Sequence, residues 1–303
     1  MKNIFHPKTV SIGIPALNEG RNISALIESL LDQKEEGFVI KCILVVSDGS
    51  TDNTVHTVNS FTDPRVEVIA GHQRKGKAIR QNEIISHCES DILVFLDADI
   101  KIDSDRFLKT LIHPILNDTA DYTAGGIAAL ASKGIIDGVL GYMMHVKSYV
   151  YGLINYGDSV YTFYGPARAF SKKAYSELQF PKVASEDAFS YLQMQQKGMR
   201  YLPVPTARYY VRVPMTLADH KKQSVRFINS HPDLERAFGK QFVQEAYQIP
   251  FGVKVRGIIY ALVKNPFYSF IYVAVFCYMK IQAALSKQSQ FLWEAPSTSK
   301  DLN

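Results

Sequence analysis

Residues 92–99 read Ile-Leu-Val-Phe-Leu-Asp-Ala-Asp, an apolar run that ends abruptly at two carboxylates. An unbroken apolar run of this length is typical of a strand buried on both faces of a parallel sheet. Ligands bind beyond the carboxyl ends of such strands. The stretch therefore predicts a parallel sheet with Asp97 and Asp99 at its ligand-binding edge.

The chain on either side of this stretch alternates between strand and helix patterns. Strands are predicted at 9–15, 42–46 and 66–69, and helices at 23–31, 51–60, 77–87 and from Asp103 or Ser104 to 116, bent or ended near Pro114. Alternation over the first 118 residues predicts an α/β fold with a doubly wound, mostly parallel sheet.

The second half is less regular. We expect one helix in 134–156, a strand-like stretch at 161–170 broken by a Gly165-Pro166 turn, a capped helix at 186–197, β structure at 201–213 and a polar helix at 216–230. From residue 249 the chain becomes strongly apolar and aromatic.

Composition narrows the class of protein. The 303 residues carry 34 Lys and Arg against 29 Asp and Glu, a net charge of +5. This excess is too mild for a nucleic-acid-binding protein and is compatible with phosphate-bearing substrates or an anionic membrane surface. The three cysteines, Cys42, Cys88 and Cys277, are too far apart to predict a zinc site or a disulfide framework. The N-terminus lacks the apolar core of a signal peptide, so we expect the catalytic part to stay in the cytoplasm.

Polar clusters follow three predicted strands, at 18–19, 48–50 and 97–99, and should open onto one crevice. Asp97 and Asp99 could share a hard divalent cation, or they could form a solvated acidic turn. Asp48 could accept a hydrogen bond from a pyrimidine N–H, with Gly49 allowing close backbone approach, or Asp48 or Ser50 could simply cap the next helix.

Three further groups have both a chemical and an ordinary interpretation. The basic residues 74–77 suit phosphate at a helix start, or form a solvated turn. Glu186 or Asp187 could be a general base, or could cap a helix. Gln223 and Arg226 share a helix face that could grip a diphosphate or a sugar, or could face solvent.

Seven motifs, taken in order, resemble the family 2 glycosyltransferases of GT-A fold and span residues 9–227. They are Ile-Pro-Ala-Leu-Asn-Glu at 14–19, Val-Ser-Asp-Gly-Ser-Thr-Asp at 46–52, Lys-Gly-Lys at 75–77 with Asn82, Asp-Ala-Asp at 97–99, Gly-Pro-Ala at 165–167, Ser-Glu-Asp at 185–187 and Gln-Ser-Val-Arg-Phe at 223–227.

The resemblance implies an inverting transfer of a sugar from a nucleotide sugar, commonly a UDP-sugar, to an acceptor hydroxyl. Asp97 and Asp99 would bind Mg²⁺ or Mn²⁺, and Asp187 would be the base, with Glu186 as a supporting acid. The implied donor-side residues are Pro15, Ala16, Asn18, Glu19, Asp48, Ser50, Lys77, Asp97, Ala98, Gln223 and Arg226, and the acceptor-side residues are Gly165, Pro166 and Ala167.

Three departures from the family pattern limit this resemblance. Ser47 stands where the family usually has an aspartate, and Phe227 stands where polysaccharide synthases have Trp. The large multi-span membrane region of processive synthases is absent. We therefore expect one or a few sugar additions, on a lipid-linked or saccharide acceptor.

Two other functions share the predicted fold. A nucleotidyltransferase would usually have a glycine-rich loop after the first strand, where this chain has residues 15–19. An inactive nucleotide-sugar-binding module would not need Asp97, Asp99 and Asp187 together. A dinucleotide-binding oxidoreductase is disfavoured because no Gly-x-Gly-x-x-Gly follows the first strand.

The sequence predicts three parts. Residues 1–230 form the catalytic domain, with a nucleotide-binding half at 1–118 and an acceptor-side half at 119–230; residues 231–293 form an apolar helical segment, and 294–303 a tail. The stretch 266–279 is shorter than the roughly 20 residues of a membrane span, and its aromatic residues suit a bilayer interface. We expect a helical hairpin, broken at Asn265-Pro266, on the cytoplasmic face of a membrane; the alternative is a pair of core or oligomer helices.

Overall fold

Eight strands form one sheet at the centre of the molecule. In the computed structural model, which describes residues 7–285, 300 and 302 and only the backbone of 226 and 229, they are β1 (Lys8–Ala16), β2 (Phe38–Asp48), β3 (Val66–Gly71), β4 (Ile92–Leu96), β5 (Ile100–Lys101), β6 (Tyr122–Ala129), β7 (Ala167–Ser171) and β8 (Tyr201–Val211). Their order across the sheet is β3-β2-β1-β4-β7-β6-β8-β5.

Twelve α-helices accompany the sheet in the described part of the chain. They are α1 (Ile23–Leu31), α2 (Thr54–Asn59), α3 (Lys77–His87), α4 (Phe107–Leu116), α5 (Ile135–Gly152), α6 (Lys172–Tyr175), α7 (Glu186–Gln196), α8 (Leu217–Asn229), α9 (His231–Phe238), α10 (Lys240–Ala246), α11 (Phe251–Lys264) and α12 (Pro266–Leu285).

Strand direction places the polar strand ends on one edge. β1, β2, β3 and β4 are mutually parallel, whereas β7 runs antiparallel to both β4 and β6. β6 is therefore parallel to β4 and ends at the same edge. This confirms the doubly wound, mostly parallel α/β fold.

Hydrophobic clusters cover both faces of the sheet. In β2, Ile43 and Val45 join one cluster with residues of α1 and α4, while Leu44 and Val46 join the other with residues of α3 and α7. Successive side chains of a strand point to opposite faces, so an unbroken apolar run serves both. Burial on both faces is the physical reason for the apolar runs in the sequence.

Several predicted element boundaries differ from the structure; for example, β2 begins at Phe38 rather than at 42 and α2 at Thr54 rather than at 51. The helix expected from Asp103 or Ser104 begins only at Phe107, because a turn precedes it in which the Ser104 carbonyl accepts the Phe107 N–H. Pro114 lies within that helix, which continues to Leu116. The strand-like stretch 161–170 contributes only β7, since the Gly165-Pro166 turn ends the extended region before it. The predicted tail and residues 286–293 lie outside the described residues, apart from Lys300 and Leu302.

Candidate active site

The loops after β1 and β2 are joined by side-chain hydrogen bonds. The Asn18 amide oxygen accepts the Thr51 N–H at 2.8 Å, and the Asn18 N–H donates to the Ser50 hydroxyl at 3.0 Å. Asn18 has a φ of 53°, a left-handed conformation that asparagine tolerates better than most residues. Asn18 and Ser50, both predicted as donor-side residues, therefore shape this rim of the crevice, and Pro15 and Ala16 end the strand beneath it.

Asp48 is buried and attaches the loop before α3 to the end of β2. Its carboxylate accepts the backbone N–H of Lys75 at 2.7 Å and of Gly76 at 2.9 Å, and the Arg80 Nε–H at 2.9 Å. A carboxylate offers about four acceptor positions, so one is left for a nucleobase. Asp48 thus has a structural role that the sequence did not indicate, and its contact with a base stays a prediction.

Acidic side chains gather where β1 and β4 end. Burial, followed by the charges of Glu19 and Asp97, raises the pKa of Asp99 to about 7. Burial also raises the pKa of Glu19, although Lys300 partly offsets this with its ammonium 2.5 Å from the Glu19 carboxylate. The carboxylates of the site therefore repel one another even in the presence of its lysines.

Lys77 bridges the two sides of the crevice. Its ammonium lies 2.6 Å from an Asp97 oxygen and 2.6 Å from a Glu186 oxygen. Burial alone would lower the pKa of Lys77, but the charges of Asp97 and Glu186 outweigh it and raise the pKa. Lys77 is therefore a fixed positive charge between the predicted metal ligands and the predicted base.

The Gly165-Pro166 turn brings the acceptor side against the acidic strand end. The Pro166 carbonyl accepts the Asp97 N–H at 2.9 Å. A Cβ atom on Gly165 would lie 3.2 Å from the Asp187 carboxylate, so glycine permits this close approach. Ala167, the third predicted acceptor-side residue, is fully buried in β7 and supports the turn from below.

The two acids that begin α7 have different surroundings. Asp187 is half-buried beside Gly165, and one of its oxygens accepts the Ala188 N–H at 2.8 Å. Burial and the neighbouring Glu186 charge raise the pKa of Asp187. Glu186 is buried and engaged by Lys77. Asp187 has the freer carboxylate, as its prediction as the base requires.

Arg168 is a residue of this site that the sequence analysis missed. Its side chain is fully buried, its guanidinium donates to the Gly165 carbonyl at 3.1 Å and to the Ser190 hydroxyl at 2.9 Å, and it lies 4.0 Å from the Glu186 carboxylate. Arg168 therefore links the turn to the start of α7. An arginine inside an apolar strand is rare unless it is paired. Its presence in this strand was the sequence feature that could have indicated a buried polar site.

Two predicted donor residues are not brought to the carboxylates by any contact that the structure describes. Gln223 is half-buried on α8, which packs against α12. Arg226 lies on the same helix, and its side chain is outside the described part of the structure. The Ser230 hydroxyl, just after α8, accepts a hydrogen bond from Ser185 at 2.7 Å, which connects this helix to α7.

The residues present fit a hard divalent cation. Asp97 and Asp99 flank the buried Ala98. Burial, and after it the charges of Glu19 and Asp97, raise the pKa of Asp99, and a bound cation would offset both effects. No cluster of three or more His, Cys, Asp or Glu side chains suited to a metal occurs among the described residues. Mg²⁺ is commonly held by one or two carboxylates together with substrate phosphates, so a pair is sufficient.

Comparison with known proteins agrees with this geometry. The model of the family described as "Glycosyl transferase family 2" matches residues 11–179, more than half of the chain. The UDP-Glc:alpha-D-GlcNAc-diphosphoundecaprenol beta-1,3-glucosyltransferase WfgD of Escherichia coli is 34% identical over 90 residues, 30% of this chain and 34% of that protein. A 4,4'-diaponeurosporenoate glycosyltransferase of Staphylococcus aureus is 31% identical over 111 residues, 36% of this chain and 28% of that protein. The chain thus matches about a third of each of these relatives.

Solved structures share the fold at low identity. The mannosyltransferase PcManGT from Pyrobaculum calidifontis, in complex with GDP-Man and Mn²⁺, superposes with a TM-score of 0.59 at 18% identity, over 94% of this chain and 82% of that one. Glucosyl-3-phosphoglycerate synthase from Mycobacterium tuberculosis, with Mn²⁺, UDP and glucosyl-3-phosphoglycerate, gives 0.54 at 17% identity, over 77% and 80%. With the family model matched from β1 to beyond β7, the chain belongs to the family 2 glycosyltransferases.

Proposed function

We propose that this protein transfers a sugar from a nucleoside diphosphate sugar to an acceptor hydroxyl, with inversion at the anomeric carbon. The observation that carries the proposal is the junction of the Asp97 strand end with the Asp187 helix start. Lys77 bridges the two sides, and the Pro166 carbonyl accepts the Asp97 N–H. The predicted leaving-group and base residues therefore lie close together, linked through Lys77 and the Gly165-Pro166 turn.

The reaction needs a proton acceptor beside the attacking oxygen. Asp187 takes the proton of the acceptor hydroxyl as that oxygen forms its bond to the anomeric carbon, while the bond from this carbon to the diphosphate breaks and its electron pair leaves with the diphosphate. Lys77 holds positive charge on the leaving-group side. A divalent cation, Mg²⁺ or Mn²⁺, bound by Asp97 and Asp99 would neutralise part of the diphosphate charge.

For the donor we favour a UDP-sugar. The name of the Escherichia coli relative includes UDP-Glc, and the structure of the mycobacterial synthase was solved with UDP. The archaeal neighbour, however, was solved with GDP-Man. The donor assay must therefore include a guanosine donor.

For the acceptor we favour a lipid-linked or saccharide hydroxyl that receives one or a few sugars at the cytoplasmic face of a membrane. The name of the Escherichia coli relative includes a lipid-linked compound, diphosphoundecaprenol, and that of the Staphylococcus aureus relative includes 4,4'-diaponeurosporenoate. In this chain, α12 has the length and composition to cross a bilayer, and most of its surface is exposed. An enzyme attached to the bilayer meets such an acceptor where it resides.

The test is release of nucleoside diphosphate from UDP-glucose, UDP-N-acetylglucosamine and GDP-mannose with Mn²⁺, repeated in excess EDTA. We expect release with at least one donor and its loss in EDTA. Release of pyrophosphate from a nucleoside triphosphate and a sugar phosphate would instead identify a nucleotidyltransferase. The protein would be an inactive binding module if it binds a donor but turns it over with none of the lipid-linked or saccharide acceptors.

A further inference from the structure

A cleft of about 810 Å³ lies between β6 and α5, beside the candidate active site. This α5 cleft is lined by β6 and the residues after it (124–130), by α5, and by parts of the loops near residues 156–164 and of β8. Its volume is in the range of ligand-binding pockets. Because β6 ends at the same edge of the sheet as β4, the cleft opens on the catalytic edge.

The walls of the α5 cleft are mainly apolar. They include Ile127, Leu130, Met144, Pro203 and Pro205, together with several glycines and alanines. The helix that forms one wall contributes Gly138, Gly141 and Gly152 to the lining, which leaves room along its length. A Cβ atom on Gly152 would meet nothing within 4 Å, so this end of the cleft is open space.

Most polar groups that line the cleft are already used within the protein. The Asp137 carboxylate accepts the backbone N–H of Gly134 at 2.8 Å and caps its own helix. The Thr162 hydroxyl donates to the Ser159 carbonyl at 2.9 Å, and the Tyr164 and Ser148 hydroxyls share a hydrogen bond of 3.3 Å. A free saccharide needs many hydrogen-bonding partners, and this lining offers few.

Arg208 is the exception. It lies on β8 opposite Gly126 of β6, lines the cleft and is exposed. Among the residues that the structure describes, no hydrogen bond or ion pair engages its guanidinium. Guanidinium groups bind phosphates with two parallel hydrogen bonds. The cleft therefore combines apolar walls with one available phosphate-binding cation.

The two ends of the cleft lead to different surroundings. Tyr164 lines it, and the next residue, Gly165, lies against the Asp187 carboxylate. Elsewhere α5 contacts α11, since the Tyr142 hydroxyl donates to the Ala261 carbonyl and His145 hydrogen-bonds to Tyr260 at 3.0 Å, and α5 also packs against α12. A molecule in the cleft can thus reach both the base and the helices with the most exposed apolar surface.

We propose that the α5 cleft binds a lipid-linked phosphate or diphosphate acceptor, with the lipid chain along the apolar walls and the phosphate on Arg208. This inference rests on the proposed function, because it names the acceptor class of the same site. The hydroxyl to be glycosylated then reaches Asp187 past Tyr164.

The test measures binding of farnesyl diphosphate to the full chain in detergent, with farnesol and inorganic pyrophosphate as partial probes. Farnesyl diphosphate should bind at least tenfold more tightly than either, because only it meets both features of the cleft. Arg208→Gln should weaken its binding about tenfold or more, the usual cost of a lost charge-assisted contact. Gly152→Trp should weaken both farnesyl probes by filling open space.

The matched control is Arg236→Gln, an exposed arginine on α9 paired with Asp233, which should leave farnesyl diphosphate binding unchanged. Thermal unfolding and UDP binding of each variant confirm the fold. Equal binding of pyrophosphate, unchanged binding in Arg208→Gln, or complete displacement of farnesyl diphosphate by phosphatidylglycerol vesicles would overturn the proposal.

These arms also separate this inference from the proposed function. If wild-type protein releases nucleotide from no sugar donor, the proposed function fails, whereas binding of farnesyl diphosphate is still measured directly. If Arg208→Gln glycosylates lipid-linked and lipid-free acceptors with the wild-type preference between them, the function stands and the assignment of the cleft is wrong.

Discussion

Asp187 and Glu186 are neighbours in the chain, yet their surroundings assign them different tasks. Glu186 is engaged by Lys77, whereas Asp187 faces the space beside Gly165. Asp187→Asn keeps the shape of the side chain but cannot take a proton, so kcat should fall by about 10²–10⁴. Donor affinity should change little, and steady-state kinetics with a saturating donor would measure both.

Glu186→Gln is the comparison variant for that prediction. It removes one of the two negative charges beside Lys77, so we expect a smaller loss of activity and an altered donor KM. Since burial raises the pKa of Asp187, wild-type activity should increase with pH as this carboxyl loses its proton. An active Asp187→Asn enzyme beside a dead Glu186→Gln enzyme would reverse the assignment.

Asp99 allows a prediction that separates metal binding from folding. Its pKa of about 7 lies above the ordinary value of 3.8, so its contribution to the stability of the metal-free protein is present below pH 3.8 and is lost as pH rises through 7. In EDTA at pH 8, Asp99→Asn should therefore be at least as stable as wild type. It should also lose metal-dependent turnover, and thermal unfolding with and without Mn²⁺ measures both effects.

Asp48 supports a buried arginine as well as the donor loop. Asp48→Ala leaves Arg80 without one of its partners, and removal of one member of a buried ion pair typically costs about 3–5 kcal/mol. We expect a lower melting temperature together with UDP binding weakened about tenfold or more, measured by calorimetry on the folded protein. Unchanged UDP affinity would mean that neither Asp48 nor the loop at 75–76 contacts the nucleotide.

The residues of the site differ in how far the sequence revealed them. The positions of Asp97 and Asp99 at a strand end and of Asp187 at a helix start were predictable, because clear patterns mark both boundaries, whereas their roles stay predictions. The structural work of Asp48 and the bridge made by Lys77 were not, since both depend on partners at least 20 residues away in the chain, such as Arg80 and Asp97. Local patterns report which elements form and give no distances between them.

At the scale of elements, α8 contains a histidine whose charged form is disfavoured by burial. His220 is half-buried, and burial followed by the Lys147 charge lowers its pKa from 6.5 to about 4. A lowered histidine pKa gives stability that is complete above pH 6.5 and is lost as pH falls from 6.5 towards 4. The full shift corresponds to roughly 3 kcal/mol, and partial solvent access should reduce this to about 1–2 kcal/mol.

The measurement is the free energy of unfolding by urea between pH 4 and pH 7. His220→Leu removes the titrating ring and its unpaired buried Nδ1 atom, so its stability should depend less on pH in this interval. Substitution of His56, which is exposed on α2, is the matched control and should keep the wild-type pH dependence. An equal slope for His220→Leu and wild type would contradict the prediction.

The bounds of an element were predicted correctly where the hydrophobic pattern of the sequence was strong. Elsewhere the bounds depend on packing that the sequence does not show. α3 and β4 have the predicted bounds, because each is a complete amphipathic or apolar run. The apolar stretch counted from the sequence covers only 266–279, and α12 continues past Lys280 to Leu285. Lysine is a good helix former and its long side chain can reach solvent while its stem stays on an apolar surface, so a charge does not end a helix.

At the scale of the whole molecule, the apolar surface is concentrated on α11 and α12. Phe251, Val263, Phe267, Phe270 and Leu285 are each at least 67% exposed. A soluble monomer rarely exposes a contiguous apolar patch of this kind. We therefore predict that these helices attach the enzyme to a membrane, and that the full chain sediments with membranes whereas a chain ending at Gln248 does not.

A graded variant decides between the membrane and a second copy of the chain as the cover of this surface. Phe267→Ser with Phe270→Ser removes two exposed rings near the start of α12, and their burial in a bilayer would contribute several kcal/mol in total, since one fully buried aromatic contributes about 1.5–3 kcal/mol. If a membrane covers the surface, binding to anionic liposomes should fall at least tenfold in this double variant, while UDP binding, which we assign to the strand ends, should stay at the wild-type level. Phe61→Ser is not a suitable control because Phe61 packs on the core, so a Ser substitution at the exposed Val39 of β2, which lies outside the α5 cleft, serves instead. If the wild-type chain is soluble without detergent, ignores liposomes and forms a dimer that the double variant breaks, the two helices form a subunit interface and the membrane prediction is wrong.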